Sequence, residues 1–225
     1  MLYGKKFLFF ASFCFLIIAA SGCTIGESPA EKMYEHLEQT VSLESGFAEV
    51  QEPLIEAEQK EQKLFNEMLG MSMKEIDQIK KLADEAIRIA DSREVLIKKE
   101  EESIDSAYEE FKSVNRLVNE IDEKALKTKA DELVKTMEKR HESYGELHEV
   151  YMEALNMDRE LYKMMKKEDL AIEDLKSHTE DLNKKYDEVL KSQDTFNHLT
   201  DQYNEKKKAF YKEAGFSTTD KKKAS

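Results

Sequence analysis

Tryptophan is absent from this chain, and glycine and proline are scarce, at seven and two in 225 residues. Hairpins and tight loops need residues that accept a positive φ or fix φ, so a chain this poor in them is not built from many short strands. There are two cysteines, Cys14 and Cys23, both near the start. Beyond Cys23 no thiol is available for a disulfide framework, a thiolate nucleophile or a cysteine metal site. Positive charge is in deficit: 35 Lys and Arg face 48 Asp and Glu, a formal net charge of -13. Lys5 and Lys6 are the only charges before Cys23, so the remainder is more acidic still. Such a surface repels nucleic acid and anionic lipid at long range, which argues against a nucleic-acid partner.

What is present begins with the one long apolar run. A short basic start, Met1-Leu-Tyr-Gly-Lys5-Lys6, precedes an apolar stretch from Phe7 to Ala20, and small Ser21 and Gly22 follow. This is the layout of a secretory signal peptide over residues 1–22, and its apolar run of fourteen residues is shorter than the roughly 18 of a spanning helix. An uncleaved anchor is the alternative; the small residues before a cysteine disfavour it. Ala20-Ser21-Gly22-Cys23 resembles a bacterial lipobox, with alanine where leucine is usual. Cys14 follows bulky Phe13 and reads as a small apolar residue of the run. Cys23 is therefore the expected lipidation site, and its covalent lipid is the only non-protein group expected. Each buried lipid CH₂ contributes about 0.8 kcal/mol, and stable anchoring takes two chains, as a diacylglyceryl cysteine supplies. The expected location is the extracytoplasmic face of the cell membrane.

Residues 23–28 read as a tether, and Ser28-Pro29 as an N-cap with proline at the first helical position. Residues 29–214 read as one helical domain in four segments, 29–69, 72–120, 122–166 and 170–214. Ser72-Met-Lys-Glu75 has the form of a capping box. After it, Ile76, Ala83, Ala90, Ile97, Ile104, Phe111 and Val118 recur every seven residues, with the companion series Ile79, Ala86, Arg93, Glu100, Ala107, Val114, Ile121. This 3-4 spacing is the seam of a helix wound against others. A second seam pairs Leu126, Leu133, Arg140, Leu147, Ala154, Leu161 with Ala130, Met137, Tyr144, Tyr151, Asp158, Met165. A third runs Leu175, Leu182, Val189, Phe196, Tyr203, Phe210, with a weaker companion from Ile172 to Lys207.

The first segment is less regular. Gly46 and Pro53 predict two shorter helices or one kinked helix, and Gly70 a C′ residue. Helices of this length span about 60–75 Å, and short connectors make neighbours antiparallel. The expected fold is all-α, an elongated antiparallel bundle of three long helices with coiled-coil-like packing, plus the broken N-terminal segment. A second stripe, Leu82, Ile89 and Leu96, calls for a third or fourth partner rather than a long dimeric coiled coil. With the second and third segments folding back at 120–121, Glu100 faces Arg140, both at seam positions. Two outcomes are open: a structural ion pair that fixes register, or side chains that both reach out to solvent.

Catalytic patterns are sparse. Glu138-Lys-Arg-His141 has the spacing of a di-iron bundle motif, but such sites need two of them, and His148 lies seven residues further on the same face. Solvated side chains are the expectation, with no metal site. No Gly-rich phosphate loop, HExxH, GxSxG or Ser/His/Asp pattern occurs. No enzyme activity and no small-molecule substrate are expected. Residues 215–225 read as a disordered basic tail.

The lipobox, Tyr34-Glu-His-Leu-Glu38, Gln51-Glu-Pro-Leu54, Glu61-Gln-Lys-Leu-Phe-Asn66, Asp84-Glu-Ala-Ile87 and Tyr211-Lys-Glu-Ala-Gly-Phe216 together resemble the YkyA-type family of cell-wall binding lipoproteins of Bacillus-type Gram-positive bacteria. The resemblance covers nearly all of the mature chain and implies a membrane-anchored partner of a wall polymer. A scaffold that binds another envelope protein, with Tyr34, Tyr108, Tyr144, Tyr151, Tyr162 and Tyr186 as anchors, is the alternative. The resemblance brings no catalytic residue.

Overall fold

The computed structural model describes residues 27–216. The segment expected to be a signal peptide, the lipobox-like residues Ala20, Ser21 and Gly22, the expected lipidation site Cys23, most of the expected tether and the tail from 217 lie outside the described residues. Five α-helices follow in order: α1 (Pro29–Leu43), α2 (Ser45–Leu69), α3 (Ile76–Val118), α4 (Lys124–Met165) and α5 (Ile172–Glu213). No strand occurs among the described residues. The fold is an all-α bundle, as its periodicity requires.

The ends follow from local chemistry. At α1, Glu31 N–H donates to Ser28 Oγ at 3.2 Å and Ser28 N–H donates to the Glu31 carboxylate at 2.8 Å, a closed capping box. Ser72 donates from its backbone N–H and its hydroxyl to Glu75, at 3.0 and 3.1 Å, across the short 3₁₀ turn Met73–Glu75 that leads into α3. The broken first segment is found, but its break falls at Glu44. Gly46 lies in the first turn of α2, where a Cβ would come within 3.2 Å of Ser103 Cβ and Oγ, so glycine there permits close approach to α3. Pro53 sits inside α2 without ending it. Gly70 follows α2 through a tight turn, with its N–H on Glu67 O, and without the positive φ expected of a C′ glycine. That conformation belongs to Gly215 (φ 78°). There Phe216 N–H bonds Tyr211 O at 2.9 Å and Gly215 N–H bonds Lys212 O at 3.2 Å, closing α5 in a Schellman motif.

The residues cluster into two compact units, each with lengths of α3, α4 and α5. The first unit joins Phe47–Glu101 with Gly145–Asp194. Its core combines Leu64, Phe65 and Met68 of α2, Ile79, Ala83, Ala86 and Ile89 of α3, Leu161 and Met165 of α4, and Leu182 of α5. Among the described residues the second unit takes 27–46, Glu102–Tyr144 and 195–216. Its core combines Met33 and Leu37 of α1, Phe111, Val114 and Val118 of α3, Leu126, Leu133 and Met137 of α4, and Tyr203, Phe210 and Tyr211 of α5.

Every seam position of α3 and α4 is buried except Ile76, which is half-buried. In α5 Leu182, Val189, Phe196, Tyr203 and Phe210 are buried, Leu175 is half-buried, and Ile172, the first residue of the helix, is exposed. The register differs from a fold-back at 120–121. In the first unit Asp84 meets Lys166 and Asp91 meets Arg159; in the second Asp105 meets His141. These pairs centre about residue 123–125. Helical side chains tilt toward their own N-termini, so on antiparallel neighbours the residues whose tips meet carry higher numbers than the residues whose backbones are level.

Candidate functional site

The most concentrated chemistry in the first unit surrounds Arg93, a seam position of α3 that is 2% exposed. All three guanidinium nitrogens donate. Nη1 reaches Glu61 Oε2 of α2 at 2.7 Å and Asp158 Oδ2 of α4 at 3.0 Å. Nη2 donates to the hydroxyl oxygens of Tyr151 (2.8 Å) and Tyr186 (3.0 Å), and Nε donates to Tyr151 at 3.1 Å. Glu58 Oε1 lies 3.5 Å from Nη2. The tyrosines pass the interaction on: Tyr151 donates to Glu58 at 2.7 Å, and Tyr186 donates to Asp158. Tyr162 of α4 lies beside Glu61. Four helices therefore contribute to one buried polar cluster.

Its electrostatics follow from burial. Three carboxylates share one guanidinium, so the cluster is short of positive charge. Burial pushes Asp158 up to about 7; Arg93 pulls it back down and the neighbouring Glu61 charge adds to the rise. Burial likewise raises Glu58 against the pull of Arg93. The hydroxyls of Tyr151, Tyr162 and Tyr186 are raised by burial and stay neutral.

The second unit has a simpler counterpart. Arg140 of α4 forms a fork with Glu44, Nη1 to Oε1 at 2.6 Å and Nη2 to Oε2 at 3.1 Å, and Nε donates to Thr200 Oγ1 at 2.9 Å. Its guanidinium carbon lies 4.9 Å from the Phe196 ring centroid. Nearby, Tyr211 donates to Glu38 at 2.7 Å, and His36 Nδ1 lies 2.6 Å from Glu110.

Both seam charges singled out from the sequence, Glu100 and Arg140, are buried. Within the first unit Glu100 accepts from Gln51 Nε2 at 2.8 Å; within the second Arg140 takes Glu44. His141 stacks on Tyr108, with centroids 3.8 Å apart, and its Nε2 lies 2.9 Å from Asp105, so the ring is spent on α3 rather than on Glu138. His148 pairs with Glu101 at 3.3 Å. Among the described residues no group of three or more His, Cys, Asp or Glu is placed to hold a metal ion. No described helix is long and apolar enough to cross a membrane.

The Arg93 cluster was missed as a unit, although its signal lay in the seams: Arg93 and Asp158 are the polar intruders of two apolar series. Several stretches that carried the family resemblance also have definite positions. Glu38, Gln51 and Glu61 reach buried polar partners, Leu64 and Phe65 enter the first core, and Tyr211 and Phe216 close α5 against Tyr34, whose ring centroid lies 5.0 and 5.1 Å from theirs.

Comparison with known proteins agrees with this architecture. A family model described as "Putative cell-wall binding lipoprotein", YkyA, matches residues 28–213. The chain is 32% identical over 205 residues to the "Uncharacterized lipoprotein YkyA" of Bacillus subtilis (strain 168), covering 91% of this chain and 92% of the relative. A crystal structure of a conserved Staphylococcus aureus protein of unknown function superposes with a TM-score of 0.60. It covers 83% of this chain and 97% of that one at 14% identity, and so speaks to fold alone.

Proposed function

The chain belongs to the YkyA family of lipoproteins, and from that premise we propose that it is a lipid-anchored extracytoplasmic protein that binds the cell wall or spaces the envelope, without catalytic activity. The observation that carries the reading is the family match over nearly the whole helical region, and the resemblance of Ala20-Ser21-Gly22-Cys23 to a lipobox supports it. The state of the buried chemistry supports the non-catalytic part. A general base or nucleophile must be within reach of a substrate. The strongest candidates here, Glu58, Glu61 and Asp158, are sequestered around Arg93. The tyrosines offered as anchors for a scaffold role support that alternative less, since Tyr144, Tyr151 and Tyr162 are core residues.

The test has two arms. Lipid-free Cys23→Ala protein should sediment with purified, protein-free wall at low salt and be released as salt rises; no sedimentation at low salt refutes wall binding. In the producing cell, the unsubstituted protein should incorporate labelled fatty acid and Cys23→Ala should not. Equal labelling of the two removes Cys23 as the anchor.

A further inference from the structure

We propose that the Arg93 cluster is a proton-binding latch: with an extra proton bound it holds α2 closed on α3, α4 and α5 of the first unit, and on losing that proton it loosens α2. The argument starts from stoichiometry. Glu58 and Glu61 of α2 and Asp158 of α4 converge on the single guanidinium of Arg93. With all three ionised, the cluster carries two uncompensated negative charges in a site whose Arg93, Glu61 and Asp158 are all buried. Burying unpaired charge is costly enough that a group takes up a proton instead.

Among the described residues Arg93 is the cation that acts on these carboxylates. The groups facing Asp158 are Arg93 from α3, Glu61 from α2 and Tyr186 from α5, and the remaining members are Glu58 from α2 with Tyr151 and Tyr162 from α4. Arg159, the next residue to Asp158, turns away to Asp91 and Glu94. The tyrosines can orient a proton but do not supply positive charge. The proton's place is therefore on a carboxyl, and Asp158, paired with the Tyr186 hydroxyl, is the group whose buried environment raises it to about 7.

The sign follows. Between its ordinary value near 4 and about 7, the folded cluster holds a proton that the unfolded chain has released. Stability from this group is therefore highest on the acid side of that window and falls as pH rises through about 7. Two of the three carboxylates belong to α2, so the repulsion acts first on that helix. The second unit supplies a comparison: there the Arg140 guanidinium is held by a two-pronged ion pair with Glu44.

The test is hydrogen exchange of the full-length Cys23→Ala protein at pH 6 and pH 8, corrected for intrinsic chemical exchange. Protection of residues 54–69 should fall by about tenfold between the two, while residues 29–43 change by less than about twofold. Asp158→Asn, which fixes the neutral form, should abolish the difference, and Glu58→Gln, if that protein is too unstable to assay, should reduce it. Unchanged protection of 54–69, an equal loss in both segments, or a full pH effect retained in Asp158→Asn overturns the proposal. None of these outcomes depends on wall binding.

Discussion

Replacing Arg93 with methionine tests the central reading of the first unit. The substitution keeps an unbranched chain of similar bulk and removes all three nitrogens. It strands Glu61 and Asp158, now held at 2.7 and 3.0 Å by Nη1, and removes the donors that hold the Tyr151 and Tyr186 hydroxyls at 2.8 and 3.0 Å. Removing one partner of a buried ion pair costs roughly 3–5 kcal/mol, a large share of the 5–15 kcal/mol that holds a typical domain together. Urea unfolding followed by circular dichroism at pH 7.5 should show that loss. The stranded carboxylates can lower the penalty by taking up protons, so the difference from the parent should shrink by about 1 kcal/mol or more at pH 5.5. Combining Arg93→Met with Glu61→Gln and Asp158→Asn should recover part of the loss, because unpaired charge is the source. A loss below about 1 kcal/mol at pH 7.5, or one that grows on acidification, refutes the account of Arg93 as the cation that makes this burial tolerable.

Three further outcomes are expected from the same unfolding assay. Arg140→Met should cost less than Arg93→Met, by about 1 kcal/mol or more, since the Glu44 carboxylate it strands is more exposed than those of Glu61 and Asp158, at 12% against 4% and 6%; an equal or greater cost refutes the comparison. Gly145→Ala should stabilise by about 0.5–1 kcal/mol, because Gly145 lies inside α4 and an added Cβ meets nothing within 4 Å; a loss of stability would show an unrecognised need for glycine. A direct ion pair between Glu100 and Arg140 remains a proposal. A double-mutant cycle with Glu100→Gln and Arg140→Met supports it with a coupling above about 0.5 kcal/mol and refutes it with one near zero.

The apolar skeleton was legible in the sequence because a seven-residue repeat is a local property. Leu133, Ala154 and Phe111 could be assigned to the core from spacing alone, and they are buried. Partnership is not local. Arg93 and Asp158 stood out as polar residues in apolar series, but their meeting depends on register, and register depends on side-chain tilt and on how residues 119–123 cross between helices. Glu58 and Glu61 were harder still. They lie on α2, where Glu61 interrupts the seven-residue series Phe47, Leu54, Met68, but among so many glutamates they look like solvated residues. Residue type points to Gly46 and Pro53 for the break that falls at Glu44, yet proline is carried inside α2 and the glycine makes room for Ser103.

Helices with repeating apolar seams have an intrinsic hazard during folding: a slip of one heptad, about 10 Å along the axis, exchanges one set of small and branched side chains for another of nearly equal packing value. The polar intruders remove that near-degeneracy. Slipping α4 by seven residues along α3 would take Asp158 out of reach of Arg93, leaving both buried without each other. Wrong alignments are thereby raised well above the native one, and the conformational search is narrowed by penalty rather than by attraction. A chain with both arginines and their carboxylate partners replaced by apolar residues should therefore populate more than one compact state, even where its average stability is the greater.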